Sequence, residues 1–260
     1  MNLDEIRVFS FDIFDTAITR WVARPTDLFF LMQRGLRNRT SEFPAFLIED
    51  FWRCRVKAEL RARIQALRQK RSEIALEDIY RRLKAICGLD TNQVIQLMNL
   101  EKDLEYQSIC PIAWTWNEIR GLKQNGRRVI FTSDTYLPAS LIESMLSKVC
   151  EGSGSFVTPD DKNSPRGQVS GYDVDSHKIY ISNALGLKKH SGELFHHILK
   201  EERCQPHELC HCGDDVHSDL YVPFKMGIRI YGLTDAEVKE KLRFYHLKKF
   251  ARSMKYLRYL

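Results

Sequence analysis

No apolar run in the 260 residues approaches the about 20 needed to cross a bilayer as a helix. The opening residues, Met1 to Arg7, lack the basic start, long apolar stretch and small-residue cleavage site of a secretory leader. An intracellular, cytoplasmic protein is therefore expected. The seven cysteines are odd in number and irregularly spaced, which argues against a disulfide framework. Internal repeats and low-complexity tracts are absent. With 43% hydrophobic and 11% aromatic residues, wholesale disorder is excluded as well. The net charge of +6 is concentrated: residues 236–260 hold eight Lys/Arg against Glu237 and Glu240, so the body is nearly neutral. No recognition motif accompanies that charge, so no nucleic-acid partner is expected.

The length suits one core domain with a substantial insertion. A β-rich run, Ile6 to Phe11, leads directly into Asp12 and reads as a buried strand. From about Pro25 to Trp116 the spacing turns helical, with Phe51, Cys54, Ala58 and Leu60, then Ile79, Leu83 and Ile86, then Val94, Leu97 and Met98. Ser72-Glu73 and Asp90-Thr91 mark helix boundaries. A βα rhythm follows. Strands are expected at 128–132, 156–157, 179–181, 209–212 and 228–231, with helices at 117–123, 141–149 and 192–201 and a turn at 151–155. This alternation predicts an α/β fold with a parallel sheet covered on both faces. In such sheets the site lies beyond the carboxyl ends of the strands.

Four features fall at those ends: Asp12-Ile13-Phe14-Asp15-Thr16, Ser133-Asp134, Lys189 just before a helix, and Gly213-Asp214-Asp215 followed by Asp219. A strand-end carboxylate can attack phosphorus and form an acyl-phosphate. A hydroxyl and an ammonium can hold the phosphoryl oxygens. Several carboxylates without Cys or His form a hard oxygen site suited to Mg²⁺.

This ordered set resembles the haloacid dehalogenase (HAD) superfamily. More narrowly, Phe-Asp-Ile-Phe-Asp-Thr (11–16), Ser-Asp-Thr-Tyr-Leu-Pro (133–138), Ser-Gly-Glu-Leu-Phe (191–195) and His-Cys-Gly-Asp-Asp (211–215) look like a bacterial branch of predicted hydrolases often found beside or fused to glycosyltransferases. The resemblance implies a Rossmann-like core over 1–20 and 115–235, a helical cap over 21–114, and a basic amphipathic C-terminal helix over 236–260. It implies a phosphatase acting on a small phosphorylated metabolite of sugar or glycan pathways. Asp12 would be the nucleophile, Asp15 a further catalytic candidate, and Ser133, Asp134 and Lys189 the phosphoryl-binding groups. Lys188 competes with Lys189, which is favoured by its spacing from Ser191-Gly192. Mg²⁺ would be held by Asp12, the Phe14 backbone carbonyl, Asp214 and Asp215. Typical phosphatases of the superfamily carry an acid/base Asp where this chain has Phe14; Asp15 or a cap residue could substitute. Two alternatives stand beside this reading. One is a binding domain for a phosphorylated ligand or a glycosyltransferase partner, and the other is a metal-independent dehalogenase.

Five further groups have plainer readings. Cys204, His207, Cys210, His211 and Cys212 resemble a zinc cluster, yet 209–212 is a strand whose Cys210 and Cys212 share one face, so core thiols are expected. Asp219 reads as a support for its loop or for Lys189, and His196-His197 as helix surface. Arg53 to Arg71 carries eight Lys/Arg against Glu59 and reads as a solvated helix face with Arg55/Glu59 and Glu59/Arg63 pairs, or as a cap surface offered to an anionic substrate. The cationic tail is expected to pack on the core or a partner, or to lie on an anionic surface.

Overall fold

A computed structural model describes residues 3–150, 178–243 and Tyr245. Its strands are β1 (Val8–Asp12), β2 (Ile18–Arg20), β3 (Ile109–Pro111), β4 (Arg128–Ser133), β5 (Lys178–Ile181), β6 (Leu209–Cys212) and β7 (Arg229–Ile230). The helices are α1 (Asp27–Leu36), α2 (Ala45–Arg68), α3 (Leu76–Cys87), α4 (Thr91–Ser108), α5 (Ala113–Gln124), α6 (Ala139–Cys150), α7 (Ser182–Leu185), α8 (Glu193–Glu201) and α9 (Val222–Lys225). The turn expected at 151–155, the strand at 156–157 and the tail beyond 245 lie outside the described residues.

Five strands form one sheet in the order β5-β4-β1-β6-β7, and every pairing is parallel. This is a Rossmann-like α/β core. β1 is central and buried along its whole length because both faces are covered. On one face Phe9, Phe11, Val129, Phe131 and Cys210 pack with Trp116, Ile119, Ile142 and Met145 of α5 and α6. On the other, Val8, Ile130 and Leu209 pack against Leu194, Phe195 and Ile198 of α8. Cys210 and Cys212 are buried free thiols, as the strand alternation requires.

Helices α1 to α4 lie between β2 and β3, which pair antiparallel and form a two-stranded connection to the core. Trp116 Nε1 and the Ile112 N–H both donate to the Ala17 carbonyl, at 2.8 and 3.1 Å, so the first residues of α5 satisfy this junction. α3 buries Leu76, Ile79, Tyr80, Leu83 and Cys87 at i, i+3, i+4, i+7 spacing and stops at Gly88, whose φ of 64° a side chain would resist. α4 starts at Asp90, whose carboxylate accepts from Gln93 N (2.8 Å) while Gln93 returns a bond to Asp90 N (3.0 Å). α2 presents Ala58, Ala62 and Ala66 inward, small residues that let α3 approach closely. Leu60, read with that apolar set, faces solvent at 59% exposure.

One expectation for α2 is corrected. Arg55 is not on a solvated face: it is fully buried, and its Nε and Nη2 each lie 2.7 Å from a Glu101 carboxylate oxygen. Its chain position, four residues before Glu59, placed it with the exposed pairs. The helix turns it inward beside Phe51 and Ala58. The Arg55–Glu59 and Arg63–Glu59 pairs do form, at 3.2 and 2.8 Å.

Candidate active site

The carboxyl ends of β1, β4 and β6 bring the sequence motifs together. Asp12 is the last residue of β1 and is 5% exposed. Lys189 is 2% exposed, and its ammonium contacts Asp12 Oδ1 and, at 2.6 Å, Asp219 Oδ1. Lys188 instead points to Glu73, 3.8 Å away. The geometry therefore places Lys189, not Lys188, against Asp12. Asp134 fixes this loop: its two carboxylate oxygens accept from the Lys189 and His190 backbone N–H groups at 2.8 and 3.2 Å. Ser133, the last residue of β4, is buried and follows Thr132, the sheet partner of Asp12.

After β6 the chain turns at Gly213 and enters a wide π-type helix, Val216–Tyr221. Asp215 opens it: its Oδ1 accepts from His217 N (3.0 Å) and Ser218 N (2.6 Å). Asp219, one turn on, folds back under the loop and accepts from Asp215 N at 3.0 Å. Gly213 makes this approach feasible, because a Cβ there would sit 2.4 Å from Asp219 Cγ.

Behind the site runs a polar chain that sequence reasoning missed. His211 Nε2 lies 3.0 Å from Asp219 Oδ1, His211 Nδ1 lies 3.0 Å from Ser10 Oγ, and Ser10 Oγ lies 3.3 Å from Thr132 Oγ1. An ionised Asp219 only accepts, so the network assigns the proton to Nε2 and makes Nδ1 the acceptor of the Ser10 hydroxyl. The only signal in the sequence was strand alternation: Ser10, Asp12, Thr132 and His211 all face one side of the sheet.

Burial disfavours charge on each of these groups, and their partners then decide. Burial, with neighbouring Asp219 and Asp214, pushes the Asp12 carboxyl up to about 7, although Lys189 pulls it down. For Lys189 burial works against the ammonium, but Asp12 and Asp219 outweigh it and hold the side chain protonated. Asp219 is also opposed by burial, yet the His211 hydrogen bond and Lys189 keep it well below the usual carboxylate range. Burial lowers the His211 pKa and keeps its ring neutral.

The carboxylates of Asp12, Asp214 and Asp219 bring oxygens within 4.8 Å of one another, and Lys189 is the ammonium among them. With all three ionised, three negative charges face one positive charge, an excess that a bound cation would offset at buried Asp12 and exposed Asp214. The donors are all oxygen, and Asp219 is already saturated by Lys189, His211 and Asp215 N, which leaves Asp12 and Asp214. One or two carboxylates with water and phosphate is the donor set Mg²⁺ takes. The chemistry of the cluster thus fits that ion. Asp215, named with Asp214 from sequence, is not part of this cluster.

Next to it a cavity of about 520 Å³ opens between sheet and helices. Phe14 and Asp15, which follow Asp12 in the chain, line it; Arg20 comes from β2, Arg63 and Glu73 from the inserted segment, and Asp134, Lys188 and His190 from the core. Phe14 is half-buried, with the Arg20 guanidinium 4.1 Å from its ring centroid. Asp15 is exposed, adopts a φ of 58°, and accepts from the Thr19 hydroxyl at 2.7 Å. Asp is among the few residues that tolerate this left-handed conformation.

Among solved structures, a 2-haloacid dehalogenase from Pseudomonas syringae pv. tomato DC3000 superposes with a TM-score of 0.53 at 15% identity, covering 86% of this chain and 85% of its own. A haloacid dehalogenase-like family hydrolase from Xanthomonas campestris gives 0.51 at 10% identity over 95% of each chain. This chain has the HAD fold. A magnesium complex of a HAD-family enzyme from Bacteroides thetaiotaomicron also superposes, at 0.50 and 15% identity, over 88% of this chain and 94% of its own. No family model and no curated protein matches the sequence. The HAD likeness is therefore one of fold, and the chemistry has to be argued from this chain's own residues.

Proposed function

We propose that the protein is a Mg²⁺-dependent hydrolase of phosphoric monoesters that works through an aspartyl-phosphate. The observation that carries this reading is the Lys189 ammonium shared by buried Asp12 and Asp219, beside the unpaired charge of Asp214. A strand-end nucleophile in such a setting handles an anionic substrate only when cations surround it. In this mechanism Asp12 attacks phosphorus, a P–O bond to its carboxylate forms and the ester bond breaks. Lys189 offsets charge on the equatorial oxygens, and the Ser133 hydroxyl orients the phosphoryl group. Water then hydrolyses the acyl-phosphate and frees Asp12. Asp12 and Asp214, with the Phe14 carbonyl as a further candidate, would hold Mg²⁺, which supplies charge compensation between nucleophile and substrate. The cavity volume and its mixed Arg, Lys and carboxylate lining suit a small hydroxylated phosphate ester, such as a sugar phosphate.

The test is phosphate release from a panel of sugar phosphates, nucleotides and an aryl phosphate, with Mg²⁺ and with chelator. Release that needs Mg²⁺ and vanishes in Asp12→Asn is the expected result. Turnover insensitive to chelator, or carbon–halogen cleavage in its place, would overturn the metal-dependent phosphatase reading. Thermal stabilisation by phosphate esters without product would point to a binding domain.

A further inference from the structure

Breaking the bond to an alkyl leaving group needs a proton at the departing oxygen, a contribution worth about 10²–10⁴-fold. Phe14 has no proton to give. The carboxyl and imidazole groups lining the cavity are Asp15, Glu73, Asp134 and His190, and both Asp134 oxygens are taken by the Lys189 and His190 N–H groups. Asp15 is exposed, and its Oδ1 is engaged by the Thr19 hydroxyl. His190 is exposed and stacked on His217, with ring centroids 4.1 Å apart. Glu73 differs from both in its burial, although its Oε2 accepts from Ile74 N at 3.3 Å. It comes from the turn between α2 and α3, and its side chain is 8% exposed. That turn is docked on the core: Ser72 Oγ donates to the Gly186 carbonyl at 2.5 Å, and Leu76 N donates to the Tyr136 carbonyl at 2.9 Å. Its carboxyl is thereby held against the two loops that present Ser133 and Lys189.

We propose that Glu73 is the general acid of this site, delivered by the inserted helical segment in place of a residue at position 14. The proposal rests on the phosphatase reading above. As Asp12 forms its bond to phosphorus, the ester oxygen leaves and takes the Glu73 proton, so the product departs as a neutral alcohol. The Glu73 carboxylate then accepts a proton from the water that attacks the acyl-phosphate, which regenerates both carboxyl groups. Burial raises the Glu73 pKa and Asp134 adds to it, while Lys188 and hydrogen bonds from Ser182 and the Ile74 N–H oppose this. Arg20, Arg63, Asp15 and His190 are the other charged or titratable groups sharing its cavity.

The experiment compares an alkyl phosphate with an aryl phosphate whose leaving group needs no proton. Glu73→Gln should lower kcat/KM for the alkyl ester by about 10²–10⁴-fold and for the aryl ester by less than about tenfold. Glu73→Asp should restore part of the alkyl activity. In the wild type, alkyl turnover should fall as pH rises through the Glu73 pKa, while aryl turnover should lack that limb; this readout needs no variant to fold. Equal losses on both esters, or a leaving-group-dependent loss in Asp15→Asn and none in Glu73→Gln, would overturn the assignment to Glu73. Absence of turnover on both esters in the wild type would instead sink the phosphatase reading itself.

Discussion

Two buried charge networks stand out among the described residues, one among the inserted helices and one at the sheet edge. In the first, Arg55 is held by Glu101 through two 2.7 Å contacts, Glu101 also accepts from the Tyr80 hydroxyl at 2.7 Å, and Arg20 pairs with Glu105 at 2.7 Å. Burial works against the Arg55 charge, but Glu101 outweighs it and raises the pKa further. Cations and carboxylates balance, and planar forks meet planar carboxylates. In the second, Lys189 contacts Asp12 and Asp219 with the exposed Asp214 close to both, so one ammonium stands among three carboxylates. Buried charge alone therefore does not mark a site. Imbalance does, because it leaves carboxylate charge that a proton or a bound cation has to neutralise.

Removing the cation from each network separates the two roles. Arg55→Met should destabilise the fold by about 3–5 kcal/mol, since Glu101 loses its partner inside the helices. Adding Glu101→Leu should recover a good part of this. Urea melts of the single and double variants check both statements, and a single-variant loss under about 1 kcal/mol would remove the contrast. Lys189→Met should act on turnover instead, lowering kcat by about 10²–10³-fold, the range for losing one preorganised charge donor. Its melting temperature should change far less than that of Arg55→Met.

Gly213→Ala sharpens the comparison within the core. The added Cβ drives Asp219 away from Lys189 without touching a charge. About tenfold or more of activity should be lost. Unchanged kinetics would show that the Asp219 contact does not position Lys189.

The smallest effect expected is a pH dependence of Mg²⁺ binding. The Asp12 carboxyl, at about 7 in the metal-free fold against a usual 3.8, keeps a proton when folded that the unfolded chain has already lost. From this group alone, metal-free stability declines as pH rises from about 4 to 7. Below about 7 a cation must displace the proton. The melting-temperature rise caused by Mg²⁺ should therefore be larger at pH 8 than at pH 6. Equal rises would contradict a shared cation site at Asp12. The Arg55 network should show no such response to the ion.

Much of the site was legible because its motifs sit where period-2 runs end. Asp12, Ser133 and Asp214 follow strands that the apolar pattern already marks, and strand ends in a parallel sheet converge whatever the loops between them do. Asp90 and Gln93 announced the start of α4 through local hydrogen bonding alone. Other parts were hidden. His211 looked like one member of a Cys/His group, and its bond to Asp219 depends on how the loop after β6 folds back. Arg55 looked like its exposed neighbours because helical spacing gives a face but not what the face meets. Glu73 stood out only as a helix boundary, and the docking of its turn on the core makes it a cavity residue.

The division has a physical cause. Backbone hydrogen bonding and side-chain periodicity act over a few residues, so the sequence by itself determined the βα alternation, the helical insertion, the strand-end carboxylates and the absence of an acid at Phe14. Which long side chains meet is settled by register and loop path over separations such as the 177 residues between Asp12 and Lys189. Spacing from Ser191-Gly192 already favoured Lys189 over Lys188, and Asp219 already read as its support; tertiary structure alone decided that His211 stands behind them and that three carboxylates gather around one ammonium.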